Sequence, residues 1–259
     1  QQAVVGEMLW SPLVVDGRVY VGTAFVGPGI QPDANGRAWV YALDAASGDV
    51  VWSQETAAYT LTTPAAGESL LFVGGSFLGE TAVDEGGHIR LHAYDLNSGD
   101  LRWTVEREDG FIKSLATDGD QLFFLAYTDM VYGLDADNGE EMWRYPTENW
   151  SPGFTYADGA LYLGSDNAFV HAVESETGTA VWRQQLAGTF NGPRAQPAVA
   201  GDYLAFQGTD DRLYYAEREN GRILWQTEPQ ARSRVAPTLA DGLLLLAGAE
   251  GTLYVYGIP

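Results

Sequence analysis

The sequence predicts an all-β fold: a six-bladed β-propeller of four-stranded antiparallel blades, its ring closed by the N-terminal strand. Three observations predict it. An eleven-residue motif, first seen as Ala42-Leu-Asp-Ala-Ala-Ser-Gly-Asp-Val-Val-Trp52, returns in five copies ending at Trp52, Trp103, Trp143, Trp182 and Trp225. These tryptophans are 51, 40, 39 and 43 residues apart, a period that marks solenoids and propellers. A strand–turn–strand pattern stands ahead of each motif and once more near the C-terminus, giving six copies of that front half.

Each element has a local reason. The front half is clearest in Ser11 to Gly22 and Phe154 to Gly164, where an Asp-Gly pair separates two apolar runs. Weaker copies run from Thr63 to Gly74, Ser114 to Leu125, Pro197 to Gly208 and Ala236 to Gly248. The motif then opens on an alternating apolar run, such as Trp39-Val-Tyr-Ala-Leu43, which is a third strand. An acidic residue follows (Asp44, Asp95, Asp135, Glu174, Glu217), suited to accept hydrogen bonds from free N–H groups at a turn. Four residues on, a glycine (Gly48, Gly99, Gly139, Gly178, Gly221) supplies the left-handed residue of a bulged hairpin. The tryptophan four further sits on the fourth strand, on a face fixed by the period of two. The five acids repeat with the turn and read as architecture rather than catalysis. The sixth repeat stops at its third strand, 252–256, and residues 3–9 are expected to supply the fourth. Such closure hides two sheet edges. One domain over 1–259 is expected, a size that all-β barrels and propellers reach as one unit.

The motif Ala-x-Asp-x-x-x-Gly-x-x-x-Trp resembles the tryptophan-docking motif of the PQQ-like (pyrroloquinoline-quinone-type) repeat propellers. That group includes quinoprotein alcohol dehydrogenases, BamB-like outer-membrane assembly lipoproteins and ectodomains of some bacterial membrane kinases. The resemblance covers nearly the whole chain and speaks to fold more than function. It implies that Trp52, Trp103, Trp143, Trp182 and Trp225 stack between blades, on the motif's small first residue and the glycine peptide. Gly133 keeps that first position small in the third copy, whereas Tyr215 departs from it in the fifth and leaves docking of Trp225 open.

Composition narrows the partners. The formal charge is −21, from 35 acidic and 14 basic residues, and Lys113 is the only lysine. That field repels phosphate backbones, so nucleic acid is not an expected partner. The scarcity of lysine fits a GC-rich genome or a salt-adapted surface, and composition does not separate the two. The absence of cysteine excludes disulfides, thiolate metal sites and a cysteine nucleophile, and leaves the redox compartment open. The apolar run near Leu243 to Ala249 is far too short to cross a bilayer, and no signal peptide is read. A soluble monomer is expected.

In a propeller, the loops between second and third strands share one rim with the links between blades. The long inserts, 25–37 and 78–88, fall on that rim, and loops longer than a hairpin needs are where binding concentrates. The inter-blade links add Tyr59, Phe111, Lys113, Trp150, Phe190, Asn191, Arg194, Arg232 and Arg234. The arginines can fork onto a carboxylate or phosphate, or pair with local acids, the simpler of the two. Trp150 and Phe190 can anchor a partner or plug the channel.

Catalytic patterns are sparse. His88 and His92, four apart on a strand, stand about 13 Å apart, too far to share a metal. His171 lies alone on a third strand. Asp84-Glu85 and Asp210-Asp211 read as solvated turns, not calcium loops. There is no phosphate loop and no Gly-x-Ser-x-Gly elbow, and no serine is seen paired with a histidine. Quinone-dependent dehydrogenases usually bring eight blades, a cysteine pair, and a calcium carboxylate with a base, and no such set is found here. The expected function is a non-catalytic, extracytoplasmic propeller without a cofactor, a sensor ectodomain or assembly module that binds a protein or small ligand on the loop-rich face. The alternative is a quinoprotein dehydrogenase-like enzyme holding pyrroloquinoline quinone with calcium.

Overall fold

The computed structural model describes residues 8, 10–24, 38–56, 58, 60–77, 88–186, 192–193, 195–228, 233 and 235–258. All regular elements among them are strands, gathered into six antiparallel sheets. The first holds β1 (Leu13–Val15), β2 (Arg18–Gly22), β3 (Ala38–Asp44) and β4 (Val50–Thr56) in that order. The second holds β5 (Thr60–Leu61), β6 (Ala65–Ala66), β7 (Leu70–Phe77), β8 (His88–Asp95) and β9 (Leu101–Arg107). The third is β10 (Ile112–Thr117), β11 (Gln121–Ala126), β12 (Met130–Asp135) and β13 (Glu141–Pro146). The fourth is β14 (Phe154–Ala157), β15 (Ala160–Ser165), β16 (Phe169–Glu174) and β17 (Ala180–Gln185). The fifth is β18 (Ala198–Ala200), β19 (Tyr203–Gln207), β20 (Leu213–Glu217) and β21 (Ile223–Gln226). The sixth has three described strands, β22 (Thr238–Ala240), β23 (Leu243–Ala247) and β24 (Leu253–Gly257). Of the expected ring-closing segment, 3–9, all but Met8 lies outside the described residues.

The second sheet has five strands because its first is split. β5 and β6 both pair with β7, and Pro64 lies between them. Proline has no N–H to give a ladder, so the pairing stops and restarts there. At Asp16-Gly17 both central residues have positive φ, 48° and 72°, the geometry of a two-residue hairpin that matches strand twist. Asp158-Gly159 and Asp241-Gly242 repeat it.

The motif turn is built as its residue types dictate. Asp44 Oδ1 accepts from Ala46 N at 3.0 Å and Ser47 N at 2.7 Å, and Asp95 and Asp135 do the same with the two matching N–H groups. The Ser47 N–H leads the interactions that hold the Asp44 carboxyl below its ordinary range. At Asp95 the Arg102 guanidinium acts first, with the Ser98 and Asn97 N–H groups behind it. Four of the motif strand pairs then bulge by one residue. Ala42, Ala93, Ala172 and Tyr215 lie opposite Trp52, Trp103, Trp182 and Trp225, after which the register shifts.

The chain divides into two compact units, residues 1–128 with 132–142, and residues 129–131 with 143–259. Within the first, Trp52 Nε1 donates to Leu96 O at 3.2 Å and Trp103 Nε1 to Ala136 O at 2.9 Å. Within the second, Trp143 Nε1 donates to Ser175 O at 2.9 Å and Trp182 Nε1 to Arg218 O at 2.8 Å. Each acceptor is the residue after the acid of the following repeat, and each indole lies against that repeat's glycine. A Cβ on Gly99 would stand 2.6 Å from Trp52 Cδ2, and one on Gly221 would stand 2.6 Å from Trp182 Cε3. The small motif residue is thus the tryptophan's cross-strand neighbour on its own sheet, and the glycine belongs to the next. Trp225 differs: Tyr215 lies opposite it, it is 37% exposed, and it meets Tyr256 edge-to-face at 5.3 Å.

The middle strands read as unbroken apolar runs because both faces are covered. All six residues of β11 and all six of β15 are buried. The fourth strands β9 and β17 alternate, with one face in water. The first unit packs Tyr20, Val40, Leu61, Leu71, Val73 and Tyr94 into one core. In the second unit, Tyr162, Val170, Leu204, Phe206 and Tyr214 form one cluster, and Tyr215 packs with Leu244 and Leu246 in another.

Candidate functional site

In the first unit the link after β9 meets the turn after β11. Tyr127 N donates to Phe111 O at 2.7 Å, fixing the two loops together. Their rings stand edge-to-face, 88° between planes with centroids 6.3 Å apart. Phe111 is 43% and Tyr127 59% exposed, so the pair faces solvent. Lys113 Nζ lies 5.1 Å from the Tyr127 ring centroid, within cation–π range. The base of this pair is cross-linked. The Arg107 guanidinium stacks 4.1 Å over Tyr132 and bonds Asp109 at 2.7 Å and Glu141 at 2.9 Å, while Tyr132 OH donates to Asp109 Oδ1 at 3.1 Å. An aromatic edge, an aromatic face and an ammonium held on stiff turns make a surface suited to a protein partner's apolar or acidic groups.

In the second unit the link 147–153 meets the turn after β15. Thr147 N donates to Asp129 O at 2.9 Å and Asp166 N donates to Trp150 O at 2.9 Å, so Trp150, 39% exposed, stands on an anchored loop. Beside it Arg183 pairs with Glu148 and lies 3.6 Å over the Phe169 ring, and Asn167 Nδ2 donates to Glu148 Oε2 at 3.3 Å.

Beneath this loop the β15–β16 hairpin supplies what sequence reasoning did not find, a serine beside a histidine. Ser165 Oγ lies 3.3 Å from His171 Nε2, and Tyr145 OH lies 2.7 Å from His171 Nδ1. Nucleophilic catalysis does not follow. Ser165 and His171 are both fully buried, and a phenol rather than a carboxylate faces the second ring nitrogen. Burial, aided by Arg183, lowers the His171 pKa to about 4, so the ring is neutral at pH 7. His92, also buried, shares Nδ1 with Thr104 Oγ1 at 3.0 Å, and desolvation lowers it to about 4 as well. Among the described residues no group of three histidine or acidic side chains is placed to hold a metal ion.

Of the residues expected at a binding face, Phe111, Lys113 and Trp150 are described as above. Tyr59, Phe190, Asn191, Arg194, Arg232 and Arg234, and the inserts 25–37 and 78–87, lie outside the described residues. Tyr127 was not singled out from sequence. Its place, directly after a fully buried strand and at the start of a short turn, is the signal that could have found it.

The family profile of the outer membrane protein assembly factor BamB matches residues 1–103, 36–150 and 131–258. BamB of Yersinia pestis is 25% identical over 272 aligned residues, covering 99% of this chain and 63% of the relative. BamB of Shewanella oneidensis is 22% identical, covering 98% of this chain and 62% of the relative. The chain therefore spans less than two thirds of the length of these curated relatives. The crystal structure of BamB from Moraxella catarrhalis aligns at a TM-score of 0.69 and 20% identity, over 85% of this chain and 64% of that one. That likeness identifies the sheets as blades of a β-propeller.

Proposed function

The chain belongs to the family of the outer membrane protein assembly factor BamB, and from that membership we propose that it is a non-catalytic, extracytoplasmic propeller that holds a protein partner during assembly of outer-membrane proteins. The observation that carries the proposal is the exposed Phe111–Tyr127 pair with Lys113 beside it, on loops braced by Arg107. Aromatic anchors surrounded by rigid backbone are where binding energy concentrates in protein interfaces. Trp150 stands on an anchored loop of the second unit, and Tyr59, Phe190, Asn191, Arg194 and Arg234, on inter-blade links in sequence, are proposed as further contacts. Binding alone accounts for such a surface, with no cofactor and no reaction. An assembly module is preferred to a sensor ectodomain because the matched family is an assembly factor.

Complementation tests this. The chain is exported to the periplasm of a host lacking its own BamB, and folded outer-membrane barrels are measured by heat-modifiable gel mobility. A rise in the folded fraction is expected. No rise, with the chain accumulating folded in the periplasm, overturns the proposal.

A further inference from the structure

The second unit contains a cavity of about 620 Å³ between the fourth and fifth sheets. Tyr162, Ala172 and Trp182 line it from one sheet, and Asp202, Arg218 and Glu219 from the other. One small residue, Ala160, stands in its lining. The second strand of each sheet begins with Arg18, Leu70, Gln121, Ala160, Tyr203 and Leu243 in turn, and alanine is the smallest of the six. The register shows that Ala160 and Arg18 are equivalent, because each lies opposite the motif acid of its own sheet, Glu174 and Asp44.

The first repeat shows what fits such a space. There Arg18 reaches across to the second sheet, and its Nη1 donates to Leu96 O at 3.0 Å and Asn97 O at 3.4 Å. Leu96 O also receives the Trp52 N–H at 3.2 Å, as Arg218 O receives the Trp182 N–H at 2.8 Å. The carbonyls of Arg218 and Glu219 therefore stand, by repeat position, where Leu96 and Asn97 stand around the Arg18 guanidinium. Ala160 provides no side chain to reach them. The electrostatics agree. Asp202, Glu217 and Glu219 bring three carboxylates to the lining against one guanidinium, that of Arg218, which is already paired with Asp158. Glu217 is in turn held by Arg222, leaving the exposed Asp202 and Glu219 at the mouth. The half-buried indole of Trp182 and the edge of the buried Tyr162 ring line the same space, apolar surface suited to an alkyl stem and a guanidinium plane.

We propose that this cavity receives an alkylguanidinium group, an arginine side chain supplied from outside, in the place that Arg18 fills for itself in the first repeat. The guanidinium fork meets the two carbonyls, the alkyl stem lies along Tyr162 and Trp182, and Asp202 and Glu219 draw the charge in. The site shares no lining residue with the Phe111–Tyr127–Lys113 surface, so its failure leaves that proposal standing.

Titration calorimetry on the whole chain tests it, with L-arginine, the capped peptide acetyl-Gly-Arg-Gly-amide and its lysine counterpart as probes. An arginine probe is expected to bind with a Kd of about 1 mM or tighter. Tighter binding of the peptide than of L-arginine identifies a polypeptide source, and equal binding identifies a small molecule. Ala160→Arg, which copies the first repeat, is expected to weaken binding by at least about tenfold without lowering the melting temperature. Should that variant fail to fold, the surface pair Asp202→Asn with Glu219→Gln is expected to weaken binding about fivefold and to flatten its salt dependence. Absence of binding by both arginine probes, undiminished binding by the folded variants, or equal affinity for the lysine peptide overturns the assignment.

Discussion

Two glycines occupy the same turn in consecutive repeats of the first unit, and adding one methyl to each separates docking from backbone strain. Gly48 and Gly99 have φ of 78° and 76°, and each donates its N–H to the carbonyl of its motif acid, at 2.8 and 2.9 Å. An added Cβ at Gly48 meets nothing within 4 Å, whereas at Gly99 it falls 2.6 to 2.9 Å from three atoms of the Trp52 indole. An L-residue in the left-handed region costs roughly 1–2 kcal/mol. Part of this, about 0.4–1 kcal/mol, is offset by reduced freedom of the unfolded chain. Gly48→Ala should therefore lose between about 0 and about 1.6 kcal/mol. Gly99→Ala must in addition displace an indole that is only 8% exposed. Full burial of an indole removes roughly 150–250 Å², worth about 4–6 kcal/mol as an upper bound. Partial withdrawal, with loss of the bond to Leu96 O, should cost about 2–4 kcal/mol beyond the strain. Urea melts followed by tryptophan fluorescence measure both, and Gly99→Ala should also shift the native emission to the red. Losses equal to within about 0.5 kcal/mol would refute the docking argument.

Trp143→Ala should cost about 3–5 kcal/mol in the same melts, and Trp225→Ala less, about 1–3 kcal/mol, because Trp225 is already part-exposed beside Tyr256. Phe111→Ala combined with Tyr127→Ala should change stability little and lower barrel assembly in the complementation host, whereas a fall in stability alone would make the pair structural. Acid should weaken the fold in a defined window. His92 and His171 have folded pKa values of about 4 against 6.5 for the free side chain, chiefly through burial, so the unfolded chain binds more protons between those values. Their stability contribution is complete above pH 6.5, falls as pH drops from 6.5 to about 4, and changes no further below that. Each histidine gives a slope of about 1.4 kcal/mol per pH unit there at most, and His92→Gln with His171→Gln should remove it. The depressed carboxyls of Asp44, Asp95 and Glu217 act lower, losing their contribution as pH falls through and below the ordinary carboxylate range. An unchanged slope between pH 4 and 6.5 in the double variant would contradict the assignment.

Much of the fold was legible because the repeat is local. Asp44, Gly48 and Trp52 fall within nine residues, and the acid-to-amide bonds and the left-handed glycine are properties of one hairpin. What lies between repeats was less so. The small residue and the glycine flank the indole in space, but only the strand register reveals that the first belongs to the same sheet and the second to the next. The break at Pro64 is written in the sequence as a residue without an N–H, but it falls just inside a weak strand copy whose apolar pattern continues past it. Tyr127 directly follows an apolar run, and nothing in that local pattern tells that its ring faces solvent. Ser165 and His171 are six residues apart, and their contact depends on a tight hairpin turn in which Ala168 has a φ of 70°. A β-branched or bulky residue there would have been a poor guess for that conformation, and alanine gave little warning.

The central claim is that four motif indoles donate to a carbonyl of the following repeat, while among the described residues no such acceptor meets the fifth. Hydrogen exchange of the indole N–H groups, resolved by two-dimensional NMR of the nitrogen-15-labelled chain, tests it most directly. The resonances of Trp52, Trp103, Trp143 and Trp182, assigned by single Trp→Phe variants, should exchange slowly, and that of Trp225 quickly. Fast exchange at any of those four, or protection at Trp225 equal to theirs, would contradict it.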